Sequence, residues 1–282
     1  MSSPVWFITG ASHGFGLILC LKALKAGHRV VGSVRSKTKA ADAVKQIEGA
    51  GGQVIELDMN ESKESIDKKI KAVGQIDYLI NNAGFFILGA IEQATEQESR
   101  QQMQTNFFGP LYVLQAALPG MRSRRAGTIV NVSSIASKDP QPASGLYSAS
   151  KAALEALSES LAAEVAPFNV GILMVEPGAF RTNFLTALVP SADSLPAGYA
   201  GTTVDAALAR YVSADGTQRG DPDKGVDRIY EAVTGEGMAG KLKGKVLRLV
   251  IGPDSLQRMR RNNDRFLGDL ALQEDVALST DF

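Results

Sequence analysis

The chain has 282 residues, of which 44% are hydrophobic and 21% charged, a composition typical of a soluble globular protein with a substantial core. Its 30 basic and 30 acidic side chains cancel, which argues against a general nucleic-acid or anionic-membrane binder. Cys20 is the only cysteine, which excludes an intrachain disulfide, and the two histidines, His13 and His28, argue against a zinc site or a Ser-His-Asp hydrolase, so no metal is predicted.

Short apolar runs alternate with longer helical patterns, and the runs predict seven strands. Most are almost continuously hydrophobic, which is typical of strands buried on both faces of a parallel sheet. The predicted strands are residues 5–9, 29–34, 53–57, 76–81, 128–132, 170–175 and 246–251. The first run is too short for a signal-peptide core or a membrane span, so we expect a cytoplasmic protein.

Helical patterns fill most of the intervals between these strands. The predicted helices are residues 16–26, 38–48, 62–73, 97–118 and 146–165. This alternation predicts an α/β fold, a Rossmann-like doubly wound parallel sheet with helices on both faces. We expect residues 1–282 to form a single domain.

The stretch from residue 185 to residue 220 breaks the alternation. It is rich in Ser, Ala, Gly, Pro and Thr, and only residues 205–211 have helical character. A long irregular insert at the carboxyl edge of such a sheet, where ligands bind, predicts a substrate lid. Asp221-Pro222 then predicts a helix start, and residues 254–282 predict an amphipathic helix with a loose end.

A glycine-rich turn joins the first predicted strand to the first helix. Gly10, Gly14 and Gly16 permit a tight turn and a close backbone approach to a pyrophosphate, whose charge the helix N-terminus favours. The spacing is Gly-x-x-x-Gly-x-Gly rather than Gly-x-Gly-x-x-Gly. A glycine cluster alone would predict only a tight turn, but the strand before it and the helix after it favour a nucleotide site.

Ser134, Tyr147 and Lys151 are the main catalytic candidates. The Tyr-x-x-x-Lys spacing puts a phenol and an ammonium on one helical face. A phenol titrates near pH ~10 in water, and we expect the nearby cation to favour the phenolate and lower that pKa. The Ser134 hydroxyl could polarise a substrate carbonyl or hold a developing alkoxide. Taken alone the Tyr–Lys spacing is a weak signal, because any exposed helix can carry it.

With these motifs in this order, the sequence resembles the short-chain dehydrogenase/reductase superfamily in its compact single-domain form. The resemblance is strong over residues 4–185 and implies an oxidoreductase acting on CH–OH groups. The matching positions are the Thr9-Gly10-Ala11-Ser12-His13-Gly14-Phe15-Gly16 turn, Asp58, Asn81-Asn82-Ala83-Gly84, Asn106, Ser134, Tyr147, Lys151, Pro177-Gly178 and Thr182.

The resemblance also implies individual roles. Tyr147 would exchange the proton, Ser134 would stabilise the substrate oxygen, and Lys151 would bind the nicotinamide ribose. Asn106 would support a water that relays protons through Lys151. The implied cofactor-binding residues are Gly10, Ser12, His13, Gly14, Phe15, Gly16, Arg35, Asp58 at the adenine, Asn82, Ala83 and Gly84 along the ribose, Tyr147, Lys151, Phe180, and Pro177, Gly178 and Thr182 at the nicotinamide carboxamide.

The end of the second predicted strand bears on the choice of cofactor. An acid there binds the 2′-hydroxyl of NAD, whereas an arginine accommodates the 2′-phosphate of NADP. This chain has Val34 where the acid would be, followed by Arg35 and Lys37. His13 stands where NADP enzymes that the chain resembles carry a basic residue. We therefore predict NADP(H), the alternative being that Arg35 is only a solvated strand end.

Apolar side chains near the expected cleft predict a bulky hydrophobic carbonyl or alcohol substrate. They are Phe85, Phe86, Phe180, Phe184, Leu185 and Leu188, of which the first two could instead fill the core. By resemblance, the helix that carries Tyr147 packs against a second subunit, which implies a homodimer or homotetramer. Its apolar stripe is Ala152, Ala153, Ala156 and Leu157.

Two other functions stay open at this point. The same fold could host a non-redox epimerase, dehydratase or cyclase, because one scaffold supports several chemistries. It could also serve as a catalytically silent NADP-binding regulator. The complete Ser134, Tyr147 and Lys151 set argues against the regulator, since a sensor needs no proton donor.

Overall fold

The structure is a computed structural model that describes residues 3–282. The strands are β1 (Val5–Ile8), β2 (Arg29–Val34), β3 (Gln53–Glu56), β4 (Tyr78–Asn81), β5 (Ile87–Leu88), β6 (Gly127–Val132), β7 (Val170–Pro177), β8 (Val189–Pro190) and β9 (Arg248–Ile251). The α-helices are α1 (Gly14–Lys25), α2 (Ala41–Gly49), α3 (Lys63–Val73), α4 (Glu96–Met103), α5 (Gly109–Arg124), α6 (Gly145–Val165), α7 (Thr203–Ser213), α8 (Pro222–Thr234) and α9 (Pro253–Leu278).

Seven of these strands form one parallel sheet in the order β3-β2-β1-β4-β6-β7-β9. The chain runs outward from β1 to β3, returns to β4 beside β1, and then runs outward in the other direction. This reversal opens a crevice at the carboxyl ends of β1 and β4, where such sheets bind ligands. The predicted doubly wound parallel sheet is therefore confirmed.

The sheet is buried on both faces, which explains its continuous apolar strands. In β1, Phe7 packs on one side in a core that contains Val113 of α5. Its neighbour Ile8 points to the other side, into a core that contains Leu19 of α1 and Val226 of α8. Successive residues of a strand face opposite ways, so both must be apolar when helices cover both faces.

The helix predicted over residues 97–118 is confirmed, since residues 96–124 are helical throughout, but a π-helical turn at Gln104–Phe108 lies between α4 and α5. Pro110 has no backbone N–H and so cannot donate to the carbonyl of Asn106 four residues earlier. The wider turn also points the Asn106 side chain inward, where it is fully buried. Such π turns occur frequently at functional sites.

The predicted lid is more regular than its composition indicates. β8 pairs in parallel with β5, with Ile87 opposite Val189. The Glu98 carboxylate of α4 holds the next residues, because it accepts from the Ala192 N–H at 2.7 Å and the Ser191 hydroxyl at 3.0 Å. The helix predicted at 205–211 is confirmed as α7, which extends two residues further at each end.

Both helices predicted in the C-terminal part of the chain are present. The Asp221 side chain accepts from the backbone N–H groups of Asp223 and Lys224, and Pro222 opens α8, as predicted. The predicted tail helix is confirmed as α9. No helix within residues 3–282 has both the length and the apolar character that crossing a membrane requires.

Candidate active site

Ser134, Tyr147 and Lys151 meet at the carboxyl end of β6. Ser134 follows β6 and caps the short 3₁₀ turn Ile135–Ser137, its Oγ accepting from the Ala136 N–H at 3.1 Å. Lys151 Nζ donates to the carbonyl of Val132, the last residue of β6, at 2.8 Å. The same nitrogen lies 5.9 Å from the centroid of the Tyr147 ring. The structure thus brings together the three residues that the sequence singles out.

Burial has the largest effect on the pKa values of Tyr147 and Lys151. It raises the pKa of Tyr147 to about 12, and interaction with the Ser134 hydroxyl offsets only part of the rise. Burial also lowers the pKa of Lys151 to about 8, with the nearby Glu155 carboxylate opposing the change. The expected fall in the pKa of Tyr147 is therefore not found, because burial of the phenolate has the largest effect.

Asn106 is fixed in the π-helical turn close to Lys151. Its Nδ2 donates to the Phe85 carbonyl and to the Ser150 hydroxyl, each at 3.0 Å, and its Oδ1 accepts from the Phe85 N–H at 3.1 Å. A Cβ atom added to Gly84 would lie 3.2 Å from Asn106 Oδ1 and 3.4 Å from Lys151 Nζ. The amide and the ammonium therefore face the same bare glycine.

Glu155 is a buried site residue that sequence reasoning missed. Its Oε1 accepts hydrogen bonds from Ser133 and Ser137, the serines on either side of the Ser134 turn. Glu155 lies one helical turn after Lys151, so its carboxylate is close to Lys151 as well as to the turn that begins at Ser134. The sequence did carry a signal for Glu155. It is a charged residue four positions after Lys151, on the inward face of the helix that carries Tyr147 and Lys151.

A second buried carboxylate, Glu176 of β7, lies beside Glu155. Arg248 bridges the two, with its Nε 2.9 Å from Glu176 Oε1 and its NH2 3.5 Å from Glu155 Oε2, and it also pairs with Glu159 at the surface. Burial, and then the Glu155 charge, raises the pKa of Glu176 to about 7. Two carboxylates sharing one arginine thus underlie the site.

Aromatic side chains cover Tyr147 from the side of the crevice. The Phe86 ring stacks on the Tyr147 ring at a centroid distance of 4.6 Å, and the Phe184 ring lies at 5.8 Å. Tyr211 of α7 packs edge-on against Phe86 at 5.3 Å. These rings enclose the phenol, so Tyr147 is buried.

The apolar residues predicted to line the cleft divide into two groups. Phe86, Phe184 and Leu188 belong to the cluster around Tyr147. Phe180 instead packs edge-on against Phe15 at 5.1 Å, on the side of the glycine turn. Phe86, Phe184 and Leu188 therefore lie beside Tyr147, whereas Phe180 lies beside the glycine turn.

The glycine turn is locked to the end of β4. Gly10 has a positive φ of 68°, and a Cβ there would lie 2.8 Å from Ala83 Cα. Thr9 Oγ1 accepts from the N–H groups of Asn82 and Ala83, both at 3.0 Å. The Asn82 side chain donates to the Thr9 carbonyl at 2.9 Å, and a Cβ on Gly16 would collide with the Gly10 carbonyl. Asn82 therefore holds the turn through its side chain.

The two basic residues predicted to select the cofactor interact through their charges. Partial burial, followed by the charge of Arg35, lowers the pKa of His13. Arg35 is exposed and forms no hydrogen bond or ion pair with another of residues 3–282. Lys37, by contrast, lies 3.7 Å from the Glu48 carboxylate. Ser12 lies in the turn just before His13.

Asp58 lies just beyond the end of β3, at the edge of the same crevice. Its Oδ1 accepts from the backbone and side-chain N–H groups of Asn60, both at 2.9 Å. This local turn fixes the carboxyl group of Asp58, and its contact with the adenine stays a prediction.

The loop after β7 reaches back to the glycine turn. It begins at Pro177 and Gly178, and a side chain at Gly178 would collide with the Asp254 carboxylate of α9. Further along, Thr182 Cβ lies 3.3 Å from the position that a Cβ on Gly14 would occupy. Thr182, predicted for the nicotinamide end, thus lies beside the glycine turn.

The residues around the glycine turn fit a dinucleotide. The turn presents backbone without side chains, the N-terminus of α1 favours a pyrophosphate, and an unpaired guanidinium stands at the end of β2. In the described part of the chain, no three His, Cys, Asp or Glu side chains gather as potential metal ligands.

Comparison with known proteins places this chain in a family. The short chain dehydrogenase family model matches residues 4–192. Oxidoreductase claN of Passalora fulva is 42% identical over 220 residues, 77% of this chain and 100% of that protein. A 3-ketodihydrosphingosine reductase of Bacteroides thetaiotaomicron is 42% identical over 185 residues, 65% of this chain and 66% of that protein.

A solved structure agrees with the sequence matches. A short-chain dehydrogenase from Streptomyces avermitilis superposes with a TM-score of 0.88 at 36% identity, covering 100% of both chains. Fold, motifs and relatives therefore agree that the chain belongs to the short-chain dehydrogenase/reductase superfamily and is an oxidoreductase of that family.

Proposed function

We propose that this protein is an NADP(H)-dependent oxidoreductase that interconverts a ketone or aldehyde and the corresponding alcohol on a bulky hydrophobic substrate. The observation that carries the proposal is the position of Tyr147. Its phenol lies beside Ser134 and Lys151 at the carboxyl edge of the sheet, with an apolar cover over it. A proton donor in an apolar pocket beside a nucleotide turn suits carbonyl reduction.

The protonation states favour the reductive direction at neutral pH. The bound nicotinamide would supply the hydride. A pKa of about 12 keeps Tyr147 protonated, so the phenol holds the proton that the substrate oxygen requires. Ser134 donates a hydrogen bond to that oxygen, and Lys151, charged below its pKa of about 8, stabilises the phenolate left behind.

Proton resupply is assigned to Asn106 and Lys151. The rigid amide of Asn106 holds the backbone of Phe85 in place and faces Gly84 from the same side as the ammonium. A water held there by the Phe85–Asn106 group would return a proton to Tyr147 through Lys151.

The cover over Tyr147 supports a substrate with an apolar body. Phe86, Phe184 and Tyr211 present ring faces and edges but no charge to the phenol. The Bacteroides relative is named as a reductase of a keto compound, 3-ketodihydrosphingosine. A ketone flanked by a long apolar chain or ring system fits both observations.

NADP(H) is favoured over NAD(H) by charge. Arg35 is exposed and free to form paired hydrogen bonds with a 2′-phosphate. Val34, at the position where NAD enzymes carry an acid, is buried in β2. Because Val34 carries no carboxylate, nothing at that position repels the 2′-phosphate.

The experiment that tests the proposal is a screen of cofactor consumption across a diverse ketone and aldehyde library, with NADPH and NADH run in parallel. We expect NADPH oxidation with apolar ketones and little activity with NADH. A preference for NADH would contradict the cofactor assignment. Product formation without any change in nicotinamide absorbance would identify a non-redox enzyme instead.

A further inference from the structure

The base of the C-terminal helix α9, residues 253–261, bonds to two loops of the proposed active site. We call residues 133–139, which follow β6 and contain Ser134, the β6 loop, and residues 178–182, which follow β7, the β7 loop. Beyond residue 262 every residue of the helix is exposed. The helix therefore meets the rest of the protein through its base.

The first turn of α9 holds the β7 loop by its backbone. The Asp254 carboxylate accepts a hydrogen bond from the Ala179 N–H at 2.8 Å, and it lies so close to Gly178 that any side chain there would collide with it. The buried Ser255 hydroxyl donates to the carbonyl of Glu176, two residues before Gly178, at 2.9 Å. Two consecutive residues of α9 thus fix the main chain at the end of β7 and in the loop that follows.

The second turn of α9 holds the β6 loop at its last residue. Arg258 Nε donates to the Asp139 carboxylate at 2.7 Å, and its NH2 donates to the Asp139 carbonyl at 2.6 Å. Arg261 adds a bond to the same carboxylate at 3.0 Å. The Asp139 N–H donates to the Ile135 carbonyl at 2.9 Å, which closes the turn that begins at Ser134. One guanidinium therefore binds both the side chain and the main chain at the end of this turn.

Polar bonds, and not apolar burial, attach α9 to the protein. In the described part of the chain, the three apolar clusters of the core contain no residue of α9, and none of its apolar side chains packs against them. Leu256, in the first turn, is 44% exposed. Apolar burial is non-directional, whereas hydrogen bonds to charged groups, and those of a guanidinium above all, impose a geometry. This attachment is therefore suited to position the two loops.

The two loops carry opposite halves of the proposed reaction. Ser134 on the β6 loop would bind the substrate oxygen, whereas Gly178 and Thr182 on the β7 loop are predicted to hold the nicotinamide carboxamide. Hydride transfer requires reacting atoms about 3–3.5 Å apart, and a misplacement of about 1 Å can lower the rate about 10²-fold. The separation of the two loops therefore bears directly on the rate.

We propose that Asp254 and Arg258 are positioning residues for hydride transfer, which hold the β7 loop and the β6 loop at a fixed separation across the base of α9. They act through the loops that they bind and take no part in the proton transfer at Tyr147. The inference rests on the proposed function, since it requires a substrate oxygen at Ser134 and a nicotinamide at the β7 loop.

Single-turnover oxidation of bound NADPH by the best ketone from the screen measures the effect. Arg258→Met removes the bonds to Asp139 and keeps an unbranched side chain, so it should slow hydride transfer about ten- to a hundredfold with an unchanged Kd for NADPH. With NADPH deuterated at the transferred position, the slowed rate should show a primary isotope effect. Such an effect assigns the loss to hydride transfer itself.

Arg265→Met is the matched control, because Arg265 lies on the same helix and its guanidinium bonds only to Asn262 of that helix. It should leave the rate unchanged. Asp139→Asn weakens the other side of the contact, so adding it to Arg258→Met should cause no further loss. Arg258→Lys keeps the charge without the guanidinium fork, so its rate should lie between those of the wild type and Arg258→Met, and it replaces Arg258→Met if that variant does not fold.

Hydrogen exchange of the protein without nucleotide gives a readout that is independent of activity. Arg258→Met should speed exchange in peptides that cover the β6 loop, and Asp254→Ala should speed it in peptides that cover the β7 loop. Exchange in β1, which α9 does not touch, should stay the same in both variants.

Three results would overturn the inference alone. One is hydride transfer at the wild-type rate in folded Arg258→Met. Another is an equal loss in Arg265→Met, which would make the loss a general effect of removing a charge from α9. The third is faster exchange in β1 as well as in the loops, which would mean that α9 supports the whole fold. A wild type that oxidises NADPH with no ketone would instead refute the proposed function, and this inference with it.

Discussion

Tyr147 and Lys151 are buried, and their burial decides which protonation state each one holds. A rise from a pKa of 10.0 to about 12 corresponds to roughly 3 kcal/mol in favour of the neutral phenol, and the fall at Lys151 from 10.5 to about 8 is of similar size. The spacing in the sequence predicted that the pair exists. It could not predict the direction of the pKa shifts, because that depends on Phe86 and Phe184, which reach Tyr147 only through the fold.

The pKa of Lys151 predicts an alkaline limit to reduction. Below about 8 the ammonium is charged and stabilises the phenolate that forms as Tyr147 gives up its proton; above that pH it is neutral. We expect kcat/KM for ketone reduction to fall as the pH rises through about 8. A pH profile checks this, and a rate that stays constant well above that pH would contradict the assignment of Lys151.

Arg35 predicts the cofactor preference. Hydrogen bonds to a charged group contribute about 1.5–3 kcal/mol, so Arg35→Ser should weaken NADPH binding by roughly ten- to a hundredfold and leave NADH binding unchanged. Lys37→Ser is the matched control, because Lys37 already faces Glu48. Titration calorimetry with both nucleotides measures the effect. An equal loss for NADH would mean that Arg35 supports the fold and does not read the phosphate.

At the scale of elements, contacts distant in sequence shape the parts of the site that local patterns missed. Continuous apolar runs predicted all seven strands of the large sheet, because burial on both faces leaves a direct mark on the sequence. The π-helical turn between α4 and α5 was missed although Pro110 marks it in the sequence, whereas the bonds of Asn106 to Phe85 and Ser150 depend on the fold. The small β5–β8 sheet was also missed, because two residues are too few to show a period.

The packing of α6 against the Ser134 turn predicts a positioning role for Glu155. Its negative charge raises the pKa of Lys151, so Glu155→Gln should lower that pKa further and move the alkaline limit of reduction to lower pH. The amide can still accept from Ser133 and Ser137, so the turn should stay in place. Glu159→Gln, at an exposed position one turn further, should leave the profile unchanged. If the pH profile of reduction is unchanged in Glu155→Gln, Glu155 has only a structural role.

At the scale of the whole molecule, the sequence predicted the fold class and the order of its parts, while the relation between distant parts came from the structure. Glu176 and Arg248 are far apart in the chain, and nothing in either segment indicates that they share a buried site with Glu155. The substrate lid stays a prediction, and the contact of Tyr211 with Phe86 could not be read from the composition of that stretch. Composition carries no information on such pairings.

Glu176 predicts how stability depends on pH. Its pKa is raised from 4.5 to about 7 in the folded protein, so between these values the folded state holds a proton that the unfolded state has released. Stability should therefore fall as the pH rises across this range, and the full loss should be present above about 7. At pH ~8, Glu176→Gln should have a free energy of unfolding higher than the wild type by on the order of 1–2 kcal/mol, measured by urea denaturation. At pH ~4.5 the two proteins should be similarly stable. A less stable variant at pH ~8 would mean that the ion pair with Arg248 outweighs the burial of the carboxylate.

The central claim is that Tyr147 delivers the proton in an NADPH-dependent carbonyl reduction. The most direct measurement is single-turnover oxidation of bound NADPH by the best ketone from the screen, in the wild type and in Tyr147→Phe, together with the Kd for NADPH. Since positioned acid catalysis contributes about 10²–10⁴-fold, we predict a loss of at least that order with an unchanged Kd. If Tyr147→Phe oxidises NADPH at close to the wild-type rate, Tyr147 is not the proton donor.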